Sequence, residues 1–200
     1  MMAILTYPSI TPEIQNFGIK YNTQVSTSTI NGVNQTVELP GARWLGDCSF
    51  RDLTLADAAD LKAFLLELRG AAGNFFYGDI THTDPFLAVT GSPTILATST
   101  RRLIKITLTG GEFSPGDYIQ IGTGDTRELK MVVFSTDIGG GNFNVIIEPM
   151  IRIETFIGLS VIYNNPKGVF MLTSDIQGKW ASRSKAQLSD INMEFVEIFQ

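Results

Sequence analysis

The stretch that decides the fold runs from Arg43 to Ile80 and reads RWLGDCSFRDLTLADAADLKAFLLELRGAAGNFFYGDI. Its middle part predicts a long helix, because apolar residues recur there at the i, i+3, i+4, i+7 spacing that places them on one helix face. These residues are Leu61, Phe64, Leu65 and Leu68, and Leu55 and Ala58 extend the stripe.

The ends of this helix carry recognisable signals. Thr54 is a candidate N-cap with Asp57 three residues later, and Gly70 is a candidate C′ residue because glycine takes positive φ without a steric cost. The flanking segments, Arg43–Phe50 and Asn74–Ile80, predict strands. A single amphipathic helix in a chain that otherwise predicts strands must bury its apolar stripe against a sheet.

Composition limits the classes of protein to consider. The chain has 200 residues, of which 44% are hydrophobic and 18% charged, and its formal net charge is -5. An acidic chain is not expected to bind nucleic acid over its whole surface. The sequence MMAILTYPSI lacks the basic and apolar parts of a secretory signal, and no apolar run is long enough for a membrane span. We therefore expect a soluble protein made in a reducing cytoplasm.

The N-terminal third predicts strands and a hairpin. Residues 1–17 predict an N-terminal arm or a short strand. Residues 20–30 and 33–39 predict two strands that pair across the turn signal Asn31-Gly32, and Pro40-Gly41 predicts a further turn.

A second group of strands occupies residues 86–163. Short apolar runs alternate there with glycine-rich turns, which is typical of a small barrel or sandwich. Its length suits a five-stranded barrel of the oligonucleotide/oligosaccharide-binding (OB) type. The predicted strands span residues 86–89, 94–98, 103–108, 118–121, 130–134, 143–147 and 160–162.

The chain then returns to strands like those of its first part. After the turn sequence 164–168, residues 169–172 and 190–199 predict strands, and in the last one Ile191, Met193 and Phe195 share a face. The predicted fold is mainly β: a first domain of strands with one packed α-helix, interrupted by an inserted small OB-like β-barrel. The predicted boundaries are 1–83 and 168–200 for the first domain and 84–167 for the barrel.

Residues with chemical potential do not form a recognisable catalytic set. Cys48 is the only cysteine and His82 the only histidine, so an intrachain disulfide and a histidine-based metal cluster are excluded. We expect Cys48 to be a buried apolar residue rather than a thiol activated by His82. The sequence predicts no catalytic, cofactor-binding or metal-binding residue.

Other motifs favour structural roles over functional ones. Gly139-Gly140-Gly141 lacks the following helix and Lys-Ser/Thr pair of a phosphate-binding loop, so it predicts a turn. The acids Glu112, Asp117, Asp125 and Glu128 do not have calcium-loop spacing and are expected to be solvated turn residues.

The basic spot of Arg101, Arg102 and Lys105 is too small for a face that binds single-stranded nucleic acid. Trp44 and Trp180 are expected to be core or interface anchors rather than sugar platforms.

Three segments occur in a fixed order along the chain. The first is the segment from Leu39 to Trp44, LPGARW, followed by the helix end AFLLELRG and the strand NFFYGDI. The second is FSPGDYIQIG, from Phe113 to Gly122. The third is the stretch from Phe143 to Ile153, which contains NVIIEPMIRI. In this order, and from about Val37 onward, the chain resembles the short form of the distal tail proteins of long-tailed phages (siphophages), which implies a β-sandwich domain with one packed α-helix, interrupted by an inserted OB-like β-barrel.

This resemblance implies a structural role without catalysis or cofactor. It implies a virion protein of the phage tail tip, assembled in the host cytoplasm as a hexameric ring that joins the tail tube to the baseplate. Its partners would be further copies of itself, the tail tube protein, the baseplate hub or tip protein and, as a further candidate, tail fibres. Neither nucleic-acid binding beyond passage of the genome through the ring nor membrane insertion is implied.

The residues themselves leave two alternatives open. One is a carbohydrate-binding module that contacts host-surface glycans, with Trp44 or Trp180 against the sugar. The other is a different structural protein of a virion or a secretion tube.

Overall fold

The computed structural model describes residues 3–176, 179–183 and 188–199, and it is mainly β with one α-helix and two sheets, which confirms the predicted fold class. The helix α1 spans Leu55–Leu68, and two short 3-10 helices span Gly70–Ala72 and Gly124–Thr126. The strands are β1 (Leu5–Thr6), β2 (Ile14–Thr27), β3 (Asn34–Leu53), β4 (Asn74–Tyr77), β5 (Leu103–Thr107), β6 (Tyr118–Ile121), β7 (Glu128–Gly139), β8 (Asn142–Glu148), β9 (Val161–Ile162), β10 (Gly168–Leu172), β11 (Trp180–Arg183) and β12 (Leu188–Glu197).

The first sheet has seven strands and is built from both ends of the chain. Its order is β1-β4-β10-β12-β3-β2, with β11 paired to β12. The late strands β10 and β12 therefore lie between the early strands β4 and β3. All of its strand pairs are antiparallel except β1 with β4. The chain leaves this sheet after β4 and re-enters it at β10.

Helix α1 packs against the first sheet through the predicted stripe. Its buried residues are Ala58, Leu61, Phe64, Leu65 and Leu68, which share one core with aromatic residues of the sheet. Leu55 was expected to extend the stripe, but it is the first residue of the helix and its side chain is 68% exposed.

The two helix ends follow the sequence signals with one shift. Thr54 Oγ1 accepts a hydrogen bond from the amide of Asp57 at 3.2 Å, as an N-cap does. At the other end Arg69 is the C-cap residue, with a φ of 53°, and Gly70 follows it with a φ of 70°. The left-handed backbone conformation that ends the helix therefore begins at Arg69, one residue before the predicted glycine.

The second sheet has five antiparallel strands in the order β5-β8-β7-β6-β9. Residues from all five strands meet in a second core with Ile95, Phe113, Ile151 and Phe156. Strand pairing leaves this sheet open rather than closed into the expected barrel. Only isolated bridges reach across its edges, from Thr94 to Ser160 and from Ile95 to Ile106.

The open edge lies at residues 86–98. Two strands were predicted there, at 86–89 and 94–98, but the segment forms only the bridges of Thr90, Thr94 and Ile95. Pro93 lies between the bridges of Thr90 and Thr94, and proline cannot donate a backbone hydrogen bond to a ladder. The gap between β5 and β9 therefore lacks a continuous strand.

The two sheets meet along a buried junction. Tyr118 and Leu129 of the second sheet belong to the core of the first. The indole Nε1 of Trp44 donates a hydrogen bond to the carbonyl oxygen of Leu129 at 2.8 Å, and the ring of Tyr118 lies 5.5 Å from that of Trp44. The proposed division at residues 84 and 167 stays a prediction, and the two parts share part of one core.

Candidate interaction surface

A two-stranded ribbon extends from the first sheet, formed by residues 20–40 of β2 and β3. The two strands pair continuously from Asn22 with Leu39 to Thr27 with Asn34. The tip is closed by backbone hydrogen bonds from Ser28 to the carbonyl of Val33 at 2.9 Å and from Gly32 to the carbonyl of Ser28 at 3.0 Å. This is the hairpin that the Asn31-Gly32 signal predicts, and it is joined directly to the long strands of the sheet.

A β-bulge lies at the base of the ribbon, where a turn was predicted. The register shifts between Lys20 and Asn22, opposite Pro40 and Gly41, and β3 continues through both of these residues. Gly41 has a φ of 121°, and Asn22 Nδ2 donates a hydrogen bond to the carbonyl of Pro40 at 3.1 Å. The predicted turn is wrong because proline and positive-φ glycine also suit a bulge, which bends a strand without ending it.

The ribbon is exposed along its whole length, and every residue from 20 to 40 is solvent-exposed. Its apolar side chains are exposed as well, by 60% for Val25, 96% for Ile30 and 47% for Val37. Tyr21, Val33 and Leu39 are exposed in the same way. Between Lys20 and Glu38 the sequence contains no charged residue.

Both faces of the ribbon carry apolar groups. Directly paired residues share a face of a sheet, so Val25 lies with Thr36 on one face and Val37 lies with Gln24 on the other. A two-stranded hairpin without a core is marginally stable in water, and natural edge strands are usually protected by charges. An uncharged ribbon with apolar residues on both faces is suited to burial against other protein surfaces.

The base of the ribbon is held firmly by the core. Phe17 of β2 stacks on Trp44 of β3 with ring centres 4.9 Å apart and an interplanar angle of 12°. Trp44 is 1% exposed and is also bonded to Leu129 of the second sheet. The same side chain therefore fixes the base of the ribbon relative to both sheets.

Cys48 and His82, the residues considered for catalysis, have different partners. Cys48 is buried, and its Sγ lies 3.0 Å from the hydroxyl of Tyr77, while burial raises the pKa of the thiol to about 11. His82 pairs instead with Asp117, with 3.1 Å between Nε2 and Oδ1. The structural interpretation of Cys48 is confirmed, because a neutral buried thiol is a poor nucleophile.

The glycine-rich and acidic turns have structural contacts. Gly139, Gly140 and Gly141 turn the chain between β7 and β8. Of the four acids, Glu112 and Asp125 are exposed as expected, but Asp117 and Glu128 are buried. Asp117 accepts hydrogen bonds from the amides of Ser114 and Phe86, at 2.7 and 2.9 Å, so it orders its turn from within. Among residues 3–176, 179–183 and 188–199, no three His, Cys, Asp or Glu side chains are grouped so as to hold a metal ion.

The basic spot is occupied by contacts within the protein. Arg101 Nη1 donates to the carbonyl oxygens of Ile151 and Arg152, both at 3.0 Å. Arg102 forms an ion pair of 2.5 Å with Glu148. These guanidinium groups are therefore used to hold the loop after β8.

The two tryptophans have different environments. Trp44 is a core residue, as expected, and cannot present its ring to a sugar. Trp180 is 46% exposed, and the ammonium of Lys62 lies 5.2 Å from its ring centre.

In the described part of the chain, no helix has the length and apolar character required to cross a membrane.

Comparisons with known proteins yield no assignment. No protein-family model matches the chain, and no curated protein matches it.

Proposed function

We propose that the chain is a structural subunit of a phage tail, a distal tail protein that assembles into a ring between the tail tube and the baseplate. In this proposal the ring is hexameric, and its partners are further copies of the chain, the tail tube protein and the baseplate hub or tip protein. Tail fibres are a further candidate partner. The protein is not an enzyme and acts in the virion, at the tip of the tail.

The exposed ribbon is the observation that carries this proposal. An uncharged projection with apolar side chains on both faces can be buried between neighbouring subunits of an assembly. A ring requires a heterologous contact, in which one surface of a copy meets a different surface of the next and the rotation closes. A projection at one side of the first sheet supplies one half of such a contact.

The sequence resemblance also supports the proposal. Its first segment, residues 39–44, leads from the ribbon through the bulge to Trp44. Its second segment, residues 113–122, contains β6 and the buried turn acid Asp117. Its third segment, from Phe143 to Ile153, contains most of β8.

The carbohydrate-binding alternative now depends on Trp180 alone, because Trp44 is buried. A glycan array on the purified protein tests it. Sugar binding that is lost in Trp180→Ala, with folding retained, would favour this alternative over the ring.

Size-exclusion chromatography with light scattering tests the assembly role of the ribbon. We expect the wild-type chain to form a closed oligomer and the double variant Val25→Lys/Val37→Lys, which places one charge on each face of the ribbon, to remain monomeric. Both side chains are exposed, so the circular dichroism spectrum and the stability should be retained.

Leu66→Lys is the matched control, since Leu66 is an apolar residue of α1 that is 66% exposed outside the ribbon. It should assemble like the wild type. Assembly of the ribbon variant at wild-type concentrations would show that the ribbon does not form the contact.

A further inference from the structure

The second sheet carries exposed apolar side chains along β7. Val133, Phe134 and Ile138 are 46%, 53% and 46% exposed. Their exposure begins directly after Val132, which is buried in the second core. The register with β8 shifts between Val132 and Phe134, and such a bulge re-aims the side chains around it. The outer half of β7 therefore presents apolar groups to solvent instead of continuing the alternation of a half-buried strand.

Phe134 begins an apolar row that crosses three strands. It pairs with Ile146 of β8, which in turn pairs with Leu103 of β5, and directly paired residues share a face of the sheet. Ile146 and Leu103 are half-buried, whereas their chain neighbours Val145 and Ile104 lie in the second core. Because successive side chains point to opposite faces of a strand, the row lies on the outer face. This row and Val133 are together called the outer patch.

The outer patch resembles the ribbon in having few charges. Between Lys130 and Glu148 the sequence contains one charged residue, Asp137. Asp137 pairs with Phe143 of the second core, so it does not share the face of the outer patch. Lys105 lies on the outer face one row further along, at the border of the patch. A protein surface that covers the outer patch therefore removes little charge from water, which keeps the desolvation cost low.

One face of the ribbon has the same character. Val37 and Leu39 lie two residues apart on β3, so they share a face, and they are 47% and 38% exposed. Their partners on β2, Gln24 and Asn22, are uncharged. The opposite face includes the charged Glu38. The face of Val37 is therefore the one that another protein surface can cover without burying a charge.

A ring contact needs two different surfaces on one chain, because its interfaces are heterologous. The ribbon supplies one surface, and the outer patch is an exposed apolar surface on the other sheet. A two-stranded ribbon that lies on β5, β8 and β7 would pack as two sheets do, about 10 Å apart with interdigitated side chains. The two surfaces are thus matched in apolar character, in lack of charge and in the way they can pack.

We propose that the outer patch is the docking surface for the ribbon of the next copy of the chain, with Val37 and Leu39 packed on Phe134 and Ile146. This inference rests on the proposed function, because it names the second half of the ring contact. The ribbon meets the second sheet of its neighbour rather than another ribbon. The contact is therefore heterologous and can close into a ring.

Charge variants of the two surfaces, analysed by size-exclusion chromatography with light scattering, test the proposal. Val37→Lys and Phe134→Glu each place an unpaired charge in an apolar contact, so each should lose the oligomer that the wild type forms. The double variant Val37→Lys/Phe134→Glu places opposite charges on the two sides and should recover the oligomer. Both side chains are exposed in the single chain, so circular dichroism spectra should be retained in all three variants.

Val25→Lys/Phe134→Glu is the matched control. It introduces the same two charges, but Val25 lies on the opposite face of the ribbon, so the new carboxylate stays unpaired and the variant should remain monomeric. Three results would overturn the proposal: assembly of Phe134→Glu like the wild type, a monomeric Val37→Lys/Phe134→Glu, or equal recovery of the oligomer in the control.

The wild-type chain separates this proposal from the proposed function. A wild type that is monomeric at every concentration contradicts the ring and, with it, the docking of the ribbon. A wild-type oligomer that Phe134→Glu leaves intact contradicts only the outer patch as the docking surface.

Discussion

Replacement of Trp44 by phenylalanine tests the junction that joins the ribbon, the first sheet and the second sheet. Phenylalanine preserves an aromatic ring against Phe17 but removes the Nε1 donor, so the carbonyl oxygen of Leu129 is left buried without its 2.8 Å hydrogen bond. An unsatisfied buried acceptor costs about 1–3 kcal/mol, and the smaller ring adds a further packing loss of about 1 kcal/mol. We expect Trp44→Phe to lower the free energy of unfolding by about 2–4 kcal/mol, a large part of the stability of a typical domain.

Urea unfolding followed by far-ultraviolet circular dichroism measures this loss, since Trp44 is itself one of the chain's two tryptophans and fluorescence would change with the substitution. The chain supplies its own control. Trp180 is 46% exposed, and Trp180→Phe should change the free energy of unfolding by no more than about 0.5 kcal/mol. If the two substitutions cost the same, the junction does not depend on the indole of Trp44 and the account of the ribbon base is wrong.

Three further predictions concern stability. The free energy of unfolding should fall by up to about 3 kcal/mol as the pH rises from 4.5 through about 7, because the carboxyl of Glu197 binds its proton more tightly in the folded state. Urea titrations at several pH values measure this change, and Glu197→Gln should abolish it. Gly78→Ala should destabilise the protein by about 1–3 kcal/mol, because its Cβ would lie 2.2 Å from the backbone carbonyl oxygen of Pro166 and clash with it. A thermal midpoint equal to that of the wild type would contradict this close packing. Leu65→Asp buries a charge in the first core and should unfold that core, whereas Leu66→Asp next to it should barely change the free energy of unfolding. Hydrogen exchange should show that the core of the second sheet is still protected in Leu65→Asp. Loss of that protection would argue against two domains.

Local patterns predicted the helix and most strands well. The stripe of α1 depends on residues at most four positions apart, and the Thr54 cap depends on a residue three positions later. Both could therefore be predicted from the sequence. Leu55 was misassigned because periodicity alone does not tell where the sheet ends beneath the first turn. The Pro40-Gly41 bulge was misread for a similar reason, since the same backbone angles serve a turn or a bulge and only the partner strand decides.

Features that depend on distant contacts could not be predicted in this way. The open edge between β5 and β9 depends on whether residues 86–98 meet strands that lie far along the chain. The alternation of β12 extends to Glu197 and could have placed this side chain on the core face. Its burial against Lys130 and Arg152 depends on the docking of the second sheet, which no local pattern encodes.

The candidate interaction surface was partly visible in the sequence. The absence of charge between Lys20 and Glu38 can be read directly, and so can the Asn31-Gly32 turn. What the sequence does not reveal is that the whole segment projects beyond the sheet. A hairpin with this composition could equally have been covered by the rest of the chain, and only the three-dimensional arrangement exposes Val25 and Val37 on opposite faces.

Electron microscopy of the purified, negatively stained protein shows whether the chain forms a ring. We expect class averages of closed rings with rotational symmetry, and a hexamer of 21.9 kDa subunits would have a mass of about 131 kDa. Fields without rings at every protein concentration, or open filaments in their place, would contradict it.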